Sequence, residues 1–252
     1  MADTTPAAPP LTFPDIPVLH QGRSCAVIDK PAGVAVESDG PDCVVKRLAR
    51  QLAPKGGRAW PRVVHRLDTG TSGCLAIALN QHGEKALTEG FLQGEIDKEY
   101  FALVRGELPE TGRFDTAYGP DPKDARRHTT RLETPRRARL SWKRVEQFAD
   151  AALVRVVLDT GRTHQIRVQF AEGGFPVLGD AVYGLAGEKG GVAGEPPSRD
   201  PLEARLALTR PALHAASLSL PDPDGNGLDR IVAEAPLPED LLRVLALLRA
   251  SR

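Results

Sequence analysis

The chain has 252 residues, 41% of them apolar and 26% charged, and its 33 Lys and Arg balance 33 Asp and Glu. That composition belongs to an ordinary globular protein of one large domain or two small ones, and a formal net charge of zero confines any basic surface to a local patch. Three cysteines without CxxC spacing argue against a disulfide framework and a thiolate zinc site, and favour a reducing, cytoplasmic setting.

Residues 1–20 read as a proline-rich tail or surface strap, without the basic and apolar regions of a secretory leader, and 21–252 as one domain. No stretch approaches the ~18 apolar residues of a membrane span, so no membrane association is expected. Residues 25–29 form a short apolar run ended by Lys30, Pro31 and Gly33, a strand followed by a turn. Val44, Val45, Leu48 and Leu52 give a helix after Asp42. Residues 74–79 read as a strand, 84–92 as a helix with Leu87 and Phe91 on one face, and 100–104 as a strand. The stretch 139–158 reads as two strands around a break at Asp150, a hairpin stopped by Thr160 and Gly161. Residues 163–170 suit a short helix with Thr163 at its N-cap, and 184–202, rich in Gly, Pro and charge, a long loop. Strands at 213–220 and 231–233 precede a Leu-rich helix at 239–249. Strands and helices mix without regular βαβ alternation, so the expected class is α+β with a mainly antiparallel sheet.

Four features could carry chemistry. The run HRLDTGTSG at 65–73 is a tight, glycine-bounded loop against apolar strands, with Arg66 and Asp68 of opposite charge; the alternative is a surface turn in which Asp68 accepts local hydrogen bonds. In TGRTHQIRV at 160–168, a helix starting near Thr163 brings Thr163, His164 and Arg167 toward one end of a groove, where Arg167 could fix a carboxylate; otherwise Arg162 and Arg167 are solvated ion pairs. Tyr100, in KEY at 98–100, offers a flat face or a phenol, although strand tyrosines are commonly packing residues. Residues 123–144 hold nine Lys or Arg against two acids, with Trp142 inside, a stripe suited to nucleic acid in which Trp142 could stack on a base; the alternative is a solvated hairpin with Trp142 turned inward. The histidines show no metal-ligand spacing, and no GxxxxGK[ST], GxGxxG or GxSxG signature occurs.

Together these segments closely resemble the RluA-type family of RNA pseudouridine synthases. The resemblance rests on DKPAG at 29–33, HRLDTGTSG at 65–73, KEY at 98–100, TGRTHQIRV at 160–168, GDAVYG at 179–184 and LHA at 213–215, in the family's order. It implies a catalytic domain at 21–252 built on a central, mainly antiparallel mixed sheet flanked by helices and loops, with a cleft for RNA. It also implies that Asp68 is the nucleophile, that Arg167 is its partner and that Tyr100 contacts the base and is a candidate for handling the C5 proton. Arg66 would fill the space vacated by a flipped base, Ile166 and Leu213 would wall the uracil pocket, and His65 and Thr163 would be further substrate contacts. No cofactor and no metal are implied, since the isomerisation is neither redox nor hydrolytic. The expected partner is ribosomal or transfer RNA and the expected state a monomer. An RNA-binding or folding-assistance protein using the same cleft is the alternative, and a base-excising glycosylase a third reading. Gln169 stands where many relatives have His, and 185–208 matches no family pattern. With about 24 residues before the first motif, the family's frequent N-terminal S4-type domain is not expected.

Overall fold

A computed structural model describes residues 13–53, 60–134, 136–184 and 201–251. In chain order the first half contains β1 (Val18–Gln21), β2 (Cys25–Lys30), α1 (Val44–Gln51), β3 (Arg62–Val63), β4 (Ser72–Ala78), α2 (Gln81–Gln93), β5 (Asp97–Arg105) and β6 (Thr111–Ala117). There follow β7 (Gly119–Asp121), β8 (Asp124–Thr129), β9 (Arg137–Gln147), β10 (Ala151–Leu158), α3 (Gln165–Glu172), α4 (Pro201–Leu206), β11 (Leu213–Pro221), β12 (Arg230–Glu234) and α5 (Glu239–Arg249). Among these residues no helix is long and apolar enough to cross a membrane.

The main sheet runs β1-β2-β4-β11-β5-β10-β9-β6, with β3 paired to β4 and β12 to β11; β7 and β8 form a separate hairpin. Every named pairing is antiparallel except β4 with β11. The α+β class and the mainly antiparallel mixed sheet expected from the sequence are therefore present.

Alternation sorts the side chains into two layers. Leu75 and Ile77 of β4, Tyr100 and Ala102 of β5, and Val154 and Val156 of β10 share a cluster with α1 and with Ile166 and Phe170 of α3. On the opposite face, Leu103 and Leu153 pack against Leu241, Val244 and Leu245 of α5, while Cys74 and Ala76 meet Leu87 of α2. Because helices cover both faces of the sheet centre, β4 is buried at every residue, which is why it reads as an unbroken apolar run.

Several expectations need correction. Residues 18–20, assigned to the tail, form β1 and pair with β2, so the sheet begins at Val18. Of the loop expected at 184–202, residues 185–200 lie outside the described residues, and 201–202 belong to α4. Thr163 is not the N-cap of α3: that position is His164, in a left-handed conformation at φ 57°. Trp142 does not offer its ring to a base. It follows Ala138 and Leu140 on the inward face of β9 and packs on Phe114 and Phe170, with ring centroids 4.6 and 5.4 Å away. The strand period decides this, since Arg137, Arg139 and Lys143 of β9 occupy the alternate positions. The short or polar strands β3, β6, β7 and β8 carry too little apolar alternation to be read from sequence.

The parallel β4–β11 pair depends on Gly73. Its φ is +108°, and a Cβ there would lie 2.1 Å from the Ala215 carbonyl oxygen. Gly73→Ala should therefore destabilise the protein by about 3 kcal/mol, through both backbone strain and displacement of β11. Urea unfolding measures this, and an unchanged midpoint would show that the pairing tolerates a side chain.

Candidate active site

The loop between β3 and β4 is pinned through its backbone. Asp68 O accepts from Thr71 N–H at 3.0 Å, closing a turn. Thr69 O accepts from Gly33 N–H at 2.8 Å and from Lys30 Nζ at 3.2 Å. Lys30 is fully buried and also donates to Pro31 O and Val34 O, at 2.9 and 2.7 Å. Burial lowers its pKa to about 8, against the attraction of Asp68. Gly70 O accepts from Arg210 Nη1 at 3.1 Å, and Arg210 is held in turn by Asp240 of α5 at 2.7 and 2.9 Å. Two buried cations thus hold successive carbonyls and leave the Asp68 side chain free to face the cleft.

That carboxylate meets Arg167. Asp68 Oδ2 accepts from Arg167 Nη1 at 2.9 Å, while Nε and Nη2 donate to Asp180 at 2.6 and 2.8 Å. The side chain of Asp180 is fully buried and that of Arg167 is 8% exposed, whereas Asp68 is 25% exposed. Burial opposes the charge on Arg167, but the two carboxylates together hold its pKa above the ordinary arginine value. Asp180 Oδ1 accepts from the backbone N–H groups of Val182 and Tyr183 as well, so the turn after Gly179 is tied to the same ion cluster.

Helix α3 delivers Arg167 although nearly all of its residues are buried. Its polar side chains are satisfied internally: Gln165 Oε1 accepts from Thr160 Oγ1 and Arg162 N–H, at 2.8 and 3.1 Å, and Gln169 Nε2 donates to Thr116 Oγ1 and Ala138 O, at 2.8 and 3.0 Å. The left-handed turn at His164 sets its Nε2 3.8 Å from Asp68 Oδ1. On its other side, Nδ1 lies 3.0 Å from Tyr183 Oη, which accepts from His128 N–H at 2.9 Å. Burial lowers the His164 pKa, with Asp68 opposing, so the ring is neutral near pH 7.

A cleft of about 920 Å³ brings together His65, Arg66, Asp68, Tyr100, Thr163 and Arg167. An adjoining space of about 60 Å³, which shares Arg66, Asp68, Tyr100 and Arg167 with the cleft, is lined by Ile166 and Leu213, both buried. The eight residues to which the sequence assigned site roles therefore border these two adjoining spaces, although in different ways. Arg66 is exposed and, among the described residues, makes no ion pair with Asp68. Thr163 also lines the cleft, and its carbonyl accepts from Tyr118 Oη at 2.6 Å. His65 is committed to the fold: Nε2 accepts from Ala76 N–H at 2.9 Å, beyond the end of the β3–β4 pairing, and its ring lies on Phe91 at 4.4 Å. Burial drives the Tyr100 phenol well above its ordinary pKa, with Asp68 adding to the effect, so the hydroxyl keeps its proton at neutral pH. Sequence reasoning assigned no role to Asp180 or Tyr183, although both lie in the GDAVYG run; a buried acid carries no local signal of which cation it serves.

Residues 24–172 match the family model described as RNA pseudouridylate synthase. An uncharacterized RNA pseudouridine synthase of Chloroflexus aurantiacus is 37% identical over 223 residues, covering 86% of this chain and 64% of the relative. The ribosomal large subunit pseudouridine synthase D of Xanthomonas campestris is 36% identical over 244 residues, covering 93% of this chain and 70% of the relative. The chain thus spans about two thirds of the length of these relatives. The solved structure of human RNA pseudouridylate synthase domain containing 4 superposes with a TM-score of 0.72 at 24% identity over 92% of this chain and 93% of that one, a likeness of fold.

Two outcomes test the site's construction. Asp180→Asn leaves a buried guanidinium with one carboxylate, and should cost about 3 kcal/mol in urea unfolding; equal stability would mean that Asp68 alone suffices. His65 has its pKa pushed down by burial to about 3, so the unfolded chain takes up a proton first and stability falls as pH drops below about 6.5. His65→Gln, which still offers an acceptor to Ala76, should flatten the stability profile between pH 6.5 and 3; a profile as steep as that of wild type would place the acid sensitivity elsewhere.

Proposed function

Since the chain belongs to the RNA pseudouridylate synthase family, we propose that it isomerises uridine to pseudouridine in structured ribosomal or transfer RNA, with Asp68 as nucleophile. The observation that carries this reading is the 2.9 Å contact of Arg167 Nη1 with Asp68 Oδ2 at the head of a pocket faced by Tyr100, Ile166 and Leu213. Arg167 occupies one carboxylate oxygen and orients the other toward the cleft, as an oxygen nucleophile requires.

In the reaction Asp68 attacks ribose C1′ or uracil C6. The N1–C1′ bond breaks, the base turns within the pocket, and a C5–C1′ bond forms. The C5 proton is then lost, N1 gains one, and the carboxylate is released, so atoms and electrons balance without a cofactor. The target base must leave its stack first, at a cost of a few kcal/mol, and the exposed Arg66 is suited to the vacated space. Ile166 and Leu213 confine the detached base while it turns. Tyr100, protonated at neutral pH, serves best as a flat wall and hydroxyl donor for the base.

The name of the Xanthomonas relative makes ribosomal RNA the first target to examine. The basic residues of 123–144 suit the flanks of such an RNA: Arg126 and Arg131 are exposed on or beside the β7–β8 hairpin, and Arg136 and Arg137 lead into β9. The three cysteines are buried and unpaired, which supports a cytoplasmic, reducing location.

Tritium release from C5-labelled uridine in ribosomal and transfer RNA, with EDTA present, tests the proposal. Wild type should release tritium, and Asp68→Asn should reduce release by at least about a thousandfold while still binding RNA. RNA binding without release by either protein would turn the reading into that of an RNA-binding or folding-assistance protein, and free uracil into that of a glycosylase.

A further inference from the structure

Lys98 is a cation of the cleft that pairs with no acid among the described residues. It sits at the start of β5, two residues before Tyr100, so both side chains fall on the same face of the strand, about 6.6 Å apart along it, and both line the cleft. The residue is only 8% exposed. Among the described residues its ammonium has no hydrogen bond and no ion pair; the ring of Phe91, with its centroid 5.7 Å from Nζ, is what it faces. The carboxylates that act on it are engaged elsewhere, Asp97 with Arg230 at 2.9 Å and Asp159 with Arg113 at 3.6 Å. Neighbouring His65 is neutral and committed to Ala76. Burial lowers the Lys98 pKa, and Asp97 and Asp159 only partly oppose this.

The Lys98 side chain is largely buried, and an ammonium stripped of much of its water and left unpaired is unfavourable, which an aromatic face offsets only in part. A methionine of similar length would fit the same site without this penalty. An anion entering the cleft would complete the site. We infer that Lys98 binds a backbone phosphate of the RNA, adjacent to the uridine whose base lies against Tyr100. The face of β5 that Lys98 and Tyr100 share supports the placement, because both side chains line the same cleft. The exposed Arg66 and the half-buried Arg162 also border the cleft, but more of each remains in solvent, so a phosphate gains less by replacing their water. This inference rests on the reading of the cleft as a uridine-isomerising site and adds to it a positioning contact for the substrate backbone.

The test measures binding of wild type, Lys98→Met and Lys98→Arg to fragmented ribosomal RNA across a salt series, alongside thermal melting. Lys98→Met should weaken binding about tenfold and reduce the slope of log affinity against log salt by about one, the signature of one lost phosphate contact. Lys98→Arg should keep the wild-type slope. Lys98→Met should melt no lower than wild type, since it removes an unpaired charge, and a lower melting temperature would overturn the premise. Wild-type affinity and slope in Lys98→Met would overturn the phosphate contact while leaving the proposed isomerisation intact. Because the readout is binding, a wild type that binds RNA but forms no pseudouridine refutes the isomerisation and still decides the role of Lys98. Failure of wild type to bind any RNA overturns both.

Discussion

The guanidinium of Arg167 lies between two carboxylates of different standing, and much of the site is organised around that arrangement. Asp180 is fully buried and takes two of its donors in a forked pair; Asp68 takes one and remains a quarter exposed. A forked contact defines the plane of the guanidinium, so the remaining donor points in a fixed direction. The inner acid is thus committed to the arginine; it aims the guanidinium that aims the outer acid. The turn at 180–183 and the left-handed His164 are drawn into the same cluster through Val182, Tyr183 and the short span to Asp68.

A second constraint acts from beneath. Carbonyl groups of a tight loop must find donors once they are buried, and here the donors are the charged ends of Lys30 and Arg210. Lys30 ends β2 and Arg210 belongs to the segment entering β11, and Asp240 ties Arg210 to the final helix. Elements distant in sequence thereby meet under one loop. The parallel β4–β11 pair, permitted by the bare α-carbon of Gly73, brings the two sides together.

The cleft combines fixed and unsatisfied groups. Gln165, Gln169 and His65 spend their polar atoms inside the fold, whereas Arg66 and Lys98 have no ionic partner among the described residues. Side chains satisfied by the protein maintain its shape; cations that are not satisfied leave room for an anion. The strand period sorts them, placing Lys98 and Tyr100 on the cleft face of β5 and Phe101 and Leu103 in the opposite layer.

The α+β class, the long apolar strands and the final helix were legible in the sequence, because burial on both faces or at helical spacing leaves a pattern in apolar residues. The glycine-bounded loop with Asp68 and the run containing Arg167 stood out as well, because glycine, charge and small hydroxyl residues cluster there for local reasons. Polar edge strands such as β7 and β8 left no such pattern, and the inward turn of Trp142 depended on a register that the basic residues around it concealed. That Arg167 has two carboxylate partners, that His65 supports β4, and that Lys98 faces the cleft without an acid among the described residues were decided by the tertiary structure. Each is a relation between residues far apart in the chain, set by packing and by which acids other cations had already taken, and no local stretch of sequence encodes it.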